Sequence, residues 1–342
     1  MSGFRILSAL KPADAAGLAE FHRVAASALA FDGYAPFNEQ ALFDLQAGLR
    51  TAYLVTVPGM AVSPASDIGD EVAESDDVAD EVAESDDVAS SIVVGAALGG
   101  RGEIDLVISP EYRRRGYGRD AVRELAATEP NGLTAWSHGD HPAARALATE
   151  LRFVAARTLL ELRKPLVAAG ETPQAGAAET SAGTTAAAGE AGAGASALEG
   201  ISAFRVGSDD AEWVALNALV FATHPEQGAM TEADLTARQA ESWFNADDFL
   251  ILRDADSRMI GYNWLKVDGA MGEIYVVGVH PDAAGRGLGR ALMQAGLHRL
   301  VAAGCTTAAL YVEADSLGPV HLYRALGFAD HTVDVQYRRL PD

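Results

Sequence analysis

The chain has 342 residues, 49% of them hydrophobic, and a formal net charge of −22. That length suggests about two domains, and 26 basic against 48 acidic residues argue against a nucleic-acid partner. The single cysteine, Cys305, excludes an intrachain disulfide, and no apolar run reaches membrane-spanning length, so a cytoplasmic protein without a membrane partner is expected.

In chain order, the pattern predicts a strand at Phe4–Ala9, a helix from Ala13 and a second helix from Asn38, its expected N-cap. Strands Ala52–Val57 and Ile92–Leu98 flank an acidic segment, Ser63–Ser91. It holds eleven acidic residues, half the net charge, and repeats Asp-Glu-Val-Ala-Glu-Ser-Asp-Asp-Val-Ala at 70–79 and 80–89. Such a block buries too little surface to offset its ordering entropy, so a disordered hairpin insertion is expected. Strand Glu103–Ile108, helix Gly118–Thr128, strand Thr134–Ser137, helix Pro142–Glu150 and a strand near Val154–Leu162 complete the first half. Residues 168–200, rich in Ala and Gly and without an aromatic, read as a flexible linker. The second half repeats the order. It has strand Ala203–Val206, helices Asp209–Phe221 and Thr231–Glu241, and strands Phe249–Arg253, Met259–Val267 and Glu273–Val279. Helix Leu288–Ala303, strand Thr306–Glu313, helix Pro319–Leu326 and strand Val333–Leu340 follow. Gly304 and Gly327 stand where glycines end helices. The implied class is α+β, with two tandem domains at 1–167 and 201–342. Each is a mostly antiparallel mixed sheet flanked by helices.

One arrangement occurs twice. In Gly272–Arg290 a β-branched strand runs into His280-Pro281-Asp282, then the loop Gly285-Arg286-Gly287-Leu288-Gly289, then an amphipathic helix. Glu103–Arg119 repeats strand, proline turn, basic glycine loop and helix. Glycines let backbone N–H groups approach a phosphate, and the helix dipole adds positive potential. No Gly-Lys-Ser/Thr follows, which excludes a P-loop, and the spacing is not a dinucleotide fingerprint. Arg113-Arg-Arg-Gly-Tyr-Gly118 resembles the coenzyme A pyrophosphate loop of the GNAT acetyltransferase superfamily. Tyr323-Arg-Ala-Leu-Gly-Phe328 and Ala148-Thr-Glu-Leu-Arg-Phe153 end their halves as such domains end.

The resemblance implies acetyl-CoA as co-substrate and no metal. It places the pantetheine arm along Val277, Gly278 and Val279, where the strand bulges and splays from its neighbour. The pyrophosphate falls to Ala284, Gly285, Arg286, Gly287, Leu288, Gly289 and Arg290. Ser316, Leu317, Gly318, Pro319, Val320 and His321 flank the cofactor from the next helix. In the first half the matching positions are Leu106, Val107, Ile108, Arg114, Arg115, Gly116, Tyr117, Gly118 and Arg119. Gly278, read by itself, marks a bulge or a close backbone approach.

Acetyl transfer to an amine needs a base, a stabilised carbonyl oxygen and a proton donor for the leaving thiolate. Glu273 is the candidate base and Tyr323 the candidate donor. The first half has Ala148 where Tyr323 would fall and Gly102 where Glu273 would fall. Glu103 is one residue out of register and faces the other side of the sheet. The first domain is therefore expected to bind coenzyme A without transferring acetyl.

Phe221-Ala-Thr-His-Pro-Glu-Gln-Gly228, Ala240-Glu-Ser-Trp-Phe244 and Asp32-Gly-Tyr-Ala-Pro-Phe-Asn-Glu-Gln40 are similar to segments of the mycothiol-forming family of tandem GNAT enzymes. Trp264-Leu-Lys-Val267 and Leu310-Tyr-Val-Glu313 fit the same family. The similarity implies a small pseudodisaccharide thiol acceptor, cysteinyl-glucosaminyl-inositol, contacted by Glu39, Glu226, Lys266, Glu273 and Tyr311. A monomer is expected. Two departures stand out: Ser316 replaces the family's usual Asn and Met230 its usual Trp. Ser316 is still expected to cap its helix, and Met230 to loosen the acceptor wall. The alternatives are acetylation of a protein N-terminus or another small amine, and a non-enzymatic acyl-CoA sensor. The His-Pro-Glu-Gln-Gly segment disfavours the first, and Glu273 with Tyr323 disfavours the second.

Overall fold

The computed structural model describes residues 6–58, 91–128, 132–166, 200–224 and 227–340. The linker, nearly all of the acidic segment, and Glu226 lie outside the described residues. The first half of the sequence forms β1 (Leu7–Ala9), α1 (Ala15–Asp32), α2 (Glu39–Gln46), β2 (Thr51–Pro58), β3 (Ser91–Gly100), β4 (Glu103–Ile108), α3 (Tyr117–Thr128), β5 (Thr134–Ser137), α4 (Pro142–Glu150) and β6 (Phe153–Pro165). The second half forms β7 (Ile201–Ala203), α5 (Asp210–Val220), α6 (Glu232–Gln239), β8 (Phe249–Arg253), β9 (Met259–Asp268), β10 (Met271–Val279), α7 (Leu288–Ala302), β11 (Thr307–Glu313), α8 (Leu317–Ala325) and β12 (Ala329–Arg339). Among the described residues no helix is long and apolar enough to cross a membrane.

Contacts divide the chain into two compact units, and the division does not fall at the linker. Unit 1 is Met1–Arg157 with Asp334–Asp342, and unit 2 is Thr158–Val333. Each of the two long strands β6 and β12 therefore starts in one unit and ends in the other. Within unit 1 the strands run in the order β1-β2-β3-β4-β5, with Val335–Arg338 of β12 antiparallel to β5. Within unit 2, Leu159–Pro165 of β6 lies antiparallel to β11, followed by β10, β9, β8 and β7. Among the described residues, β4 pairs parallel with β5 in unit 1 and β10 with β11 in unit 2. The last strand of each half of the sequence thus completes the sheet of the other unit.

Local chemistry sets the helix ends. Asn38 Oδ1 accepts from the Ala41 N–H at 2.8 Å and caps α2, as its sequence position predicts. Thr231 and Asp234 form a reciprocal capping box on α6. Gly304 and Gly327 take φ of 86° and 89°, the left-handed conformation that closes a helix. Both faces of each sheet are covered. In unit 2, Trp213, Trp264, Phe249 and Tyr262 fill one side, while Leu265, Ile274, Met293, Leu310 and Tyr323 fill the other. In unit 1, Phe21, Phe37 and Leu98 pack one side, and Ile104, Leu125 and Phe153 the other.

β2 and β3 pair antiparallel to their ends, with Pro58 opposite Ser91. The acidic segment therefore joins the two ends of a completed hairpin. Loop-closure entropy changes by only ~0.6 kcal/mol per doubling of length. Deleting Asp70–Ala89 is expected to shift stability by less than about 1 kcal/mol, as read by thermal melting, with acetyl transfer unchanged.

β10 carries a register shift, and its place differs from the expectation. The shift lies between Ile274 and Val276, leaving Tyr275 as the extra residue, while Gly278 pairs in register with Tyr262. Gly278 is demanded by packing instead. A Cβ there would stand 2.7 Å from Cζ and Oη of Tyr262. Tyr262 is fully buried and donates to Asn217 Oδ1 at 2.8 Å, so its ring has little room to yield. Gly278→Ala should cost ~1–3 kcal/mol, the range for overpacking, read as a lower denaturant midpoint.

Candidate active site

The parallel strands β10 and β11 pair only over Met271–Glu273 and Thr307–Ala309. Beyond that point both continue, β10 to Val279 and β11 to Glu313, without pairing to each other. Val277, Gly278 and Val279 lie on this part of β10, which pairs with β9 and not with β11. β4 and β5 part in the same way after Glu103–Ile104 and Thr134–Ala135. Leu106, Val107 and Ile108 lie on the freed part of β4.

The loop after β10 has the backbone that the glycines promise. Gly285 and Gly287 take φ of 73° and 77°, and Gly287 is the N-cap of α7. A Cβ on either would meet nothing within 4 Å. The demand for glycine is therefore conformational. The loop is exposed from Ala284 to Gly287, and the N–H groups of the first helical turn have no partner within the helix. Arg286 and Arg290 are exposed and make no hydrogen bond or ion pair among the described residues. Leu288 and Gly289 are half-buried, with Gly289 against Leu322 and Val279.

Unit 1 reproduces the loop with a different side-chain economy. Arg114 takes φ of 62° where unit 2 has Gly285, and Gly116 takes φ of 91°. The guanidinium of Arg113 donates to both oxygens of Asp32 at 2.7 Å and to the Ile108 carbonyl at 2.9 Å. Arg119 leans on Asp120 at 3.4 Å, and Arg115 donates to the Glu111 carbonyl at 3.2 Å. Tyr117 and Gly118 open α3. Arg113 and Arg119 are thus engaged by acids of the same unit, and Arg115 by a backbone carbonyl.

α8 follows β11 after three residues. Ser316 is at its N-cap, with ψ of 67°, and its hydroxyl makes no capping bond. This corrects the expected cap: the backbone is not in the extended conformation that aims a serine at the first-turn N–H groups. Leu317 is 73% exposed, while Val320 is a core residue. Gly318, Pro319 and His321 are exposed. Tyr323 lies in the unit 2 core, where burial pushes its phenol up to about 12. Ala148 in unit 1 is likewise buried, and has no group to offer.

The acceptor candidates separate. Gly272, Ile274, Leu265 and Val267 turn toward the core that holds Tyr323, so Glu273 and Lys266 between them turn to the opposite face. They stand directly across from each other in register. Lys266 Nζ lies 5.0 Å from the Trp243 ring centroid, a cation–π contact. Ala308, Leu310 and Val312 face the core, so Tyr311 faces the same side as Glu273 and is 48% exposed. Glu273 is the third residue of β10, inside the strand and not at its start. His224 Nε2 stands 3.7 Å from Glu313 Oε1, which brings the loop after α5 over this face. Met230 is a core residue of unit 2, 8% exposed. Glu39 belongs to unit 1, in the first turn of α2.

Contrary to the expected register, Glu103 lies on the face of unit 1 that corresponds to that of Glu273, because β10 carries an extra residue at Tyr275 and β4 carries none; that face is filled by the unit's own charges. Arg50 is 4% exposed and pairs with Glu103 at 3.0 Å and Asp105 at 2.7 Å. Gln336 of β12 donates to Glu103 at 3.3 Å. His138 Nδ1 meets Asp334 Oδ2 at 2.7 Å, and the Gly139 N–H donates to Asp334 Oδ1 at 2.9 Å. Burial lowers the His138 imidazole, but Asp334 outweighs it and holds it above the usual value. Sequence reasoning missed Arg50 and Asp334 because their partners lie far away along the chain.

Comparison with known proteins places these features. Residues 213–328 match the acetyltransferase (GNAT) family model. The chain is 47% identical over 259 residues to the mycothiol acetyltransferase of Clavibacter michiganensis, covering 72% of this chain and 76% of that protein. It is 36% identical over 343 residues to that of Sanguibacter keddieii, covering 97% and 96%. Among solved structures, a tandem GNAT protein from the clavulanic acid biosynthesis pathway aligns with a TM-score of 0.59 at 18% identity, covering 98% of each chain. A GCN5-related N-acetyltransferase from Sphaerobacter thermophilus aligns at 0.58 and 18%, covering 98% of this chain and 95% of the other.

Proposed function

The chain belongs to the mycothiol acetyltransferase family of GNAT enzymes, and from that membership we propose that unit 2 acetylates the cysteinyl amine of cysteinyl-glucosaminyl-inositol to give mycothiol. The observation that carries the reading is the shared face of Lys266, Glu273 and Tyr311 beside the point where β10 and β11 cease to pair. A carboxylate, an ammonium and a phenol there offer the mixed donors and acceptors that a hydroxylated acceptor needs.

Acetyl-CoA supplies the activated acetyl group when bound. The open glycine loop, with Arg286 and Arg290, suits its pyrophosphate, and the unpaired edge of Val277, Gly278 and Val279 suits its pantetheine amides. Glu273 takes a proton from the acceptor ammonium, through a water. A backbone N–H of the freed β10 edge polarises the thioester carbonyl. The amine nitrogen forms the new bond to the acetyl carbon and sheds its second proton to solvent, the carbon–sulfur bond breaks, and the Tyr323 hydroxyl donates a hydrogen bond to the departing thiolate. Unit 1 takes coenzyme A or encloses substrate without transfer, since Ala148 cannot donate a proton and Arg50 neutralises the face where an acceptor would lie.

The test is one assay. Purified protein, acetyl-CoA and the cysteinyl pseudodisaccharide are expected to release coenzyme A thiol, while peptide amines are expected to leave it at background. Equal turnover with peptide amines, or none with the pseudodisaccharide, rejects the reading. Glu273→Gln is expected to lose the acidic limb of the pH–rate profile. A limb that persists assigns the base elsewhere.

A further inference from the structure

The second half of β6 carries two charged residues onto the acceptor face of unit 2. Glu161 pairs opposite Tyr311, and Arg163 opposite Ala309. Leu160 and Leu162, their neighbours, turn to the core with Leu310 and Val312, so Glu161 and Arg163 lie on the face of Tyr311 and Glu273. Register places Lys266, Glu273, Ala309 and Arg163 in one row across four strands. Ala309 is the short member of that row. It stands between Glu273 and Arg163, whose strands are two interstrand spacings or ~10 Å apart.

Glu161 is 6% exposed, and the Arg163 Nε–H donates to it at 2.5 Å. The Arg163 side chain is 35% exposed, so the pair is open to solvent on one side, and such a pair stabilises a fold no better than well-packed apolar residues of the same size. Two leucines at these positions would complete the sheet as well. The pair also holds its geometry: Arg163 fixes the carboxylate, and a guanidinium carries five donors in one plane.

We propose that Glu161, held by Arg163, determines acceptor specificity by accepting hydrogen bonds from ring hydroxyls of the acceptor. The inference rests on the function proposed above. Its chemistry is that of a polyol: vicinal hydroxyls donate to a carboxylate, and their oxygens accept from the guanidinium. The site in unit 2 is then completed by a strand from the first half of the sequence, so a second half expressed without β6 would lack part of its acceptor site.

Glu161→Gln keeps the shape and removes the charge. Loss of a charge-assisted hydrogen bond predicts a rise of about 10- to 100-fold in KM for the pseudodisaccharide. The KM for acetyl-CoA should stay unchanged. With cysteine amide, which has the amine and thiol but no ring hydroxyls, variant and native protein should match. Arg163→Lys should give a smaller rise of the same kind. Unchanged pseudodisaccharide KM in both variants overturns the inference while leaving the function standing. Equal losses with both acceptors, or a fall in melting temperature with a rise in KM for acetyl-CoA, assign the pair to sheet structure and overturn it as well. If Glu161→Gln does not fold, Arg163→Lys alone decides by the same comparison of acceptors. Native protein that turns over neither acceptor rejects the function and the inference with it.

Discussion

Tyr323→Phe is expected to lower kcat roughly tenfold to thousandfold, with little change in binding of acetyl-CoA or in folding. The ring stays in the core with Leu310, Val320 and Phe328, so packing is preserved. Only the hydroxyl is lost. Burial pushes that phenol up to about 12, so it is protonated at any pH at which the protein works. An ordinary thiol titrates near ~8.5. Full proton transfer to the leaving sulfur is therefore uphill, and the part we propose for the phenol is to donate a hydrogen bond as charge develops. Removing one such donor from a dry site costs about 10²–10³ in rate. Single-turnover kinetics with saturating acetyl-CoA measure it. Native kcat in the variant would reject Tyr323 as the donor.

Arg50→Met is expected to destabilise the protein by about 3–5 kcal/mol, because it strands a buried carboxylate. Asp105 is 2% exposed, and its carboxyl already lies above the usual range because burial outweighs the attraction of Arg50 and His138. Removing the guanidinium raises it further. A carboxyl raised in the folded state binds its proton more tightly there than when unfolded, so stability falls as pH rises toward the folded pKa. The loss in Arg50→Met should therefore be larger at pH 8 than at pH 5. Denaturant melts of both proteins at the two pH values measure it. A loss below 1 kcal/mol, or one that grows on acidification, would contradict the closed charge network of unit 1.

Much of the fold was legible in sequence because it depends on neighbours. Asn38 caps α2 because its side chain reaches three residues ahead, and Gly304 and Gly327 end helices because each takes a backbone angle that other residues resist. The glycine loops and the α+β order follow from spacing within some twenty residues. Lys266, Glu273 and Tyr311 could be named as a set only through a family pattern. Their spacing along the chain does not reveal that they share one face. The structure shows that they do, through register and alternation.

What sequence could not supply is the partner of each strand. Period-2 alternation says which residues share a face, but any strand of fitting length and polarity can lie alongside. The sequence by itself determined a doubled α+β chain with a strand, a glycine loop and a helix in each half. Only the tertiary structure decided that β6 and β12 end in opposite units. From that exchange come Glu161 and Arg163 beside Tyr311, and Gln336 and Asp334 beside Glu103 and His138. The same packing moved the bulge to Tyr275 and gave Gly278 to the ring of Tyr262. Each of these rests on contacts between residues far apart in the chain, whose energies depend on desolvation and fit that no local pattern records.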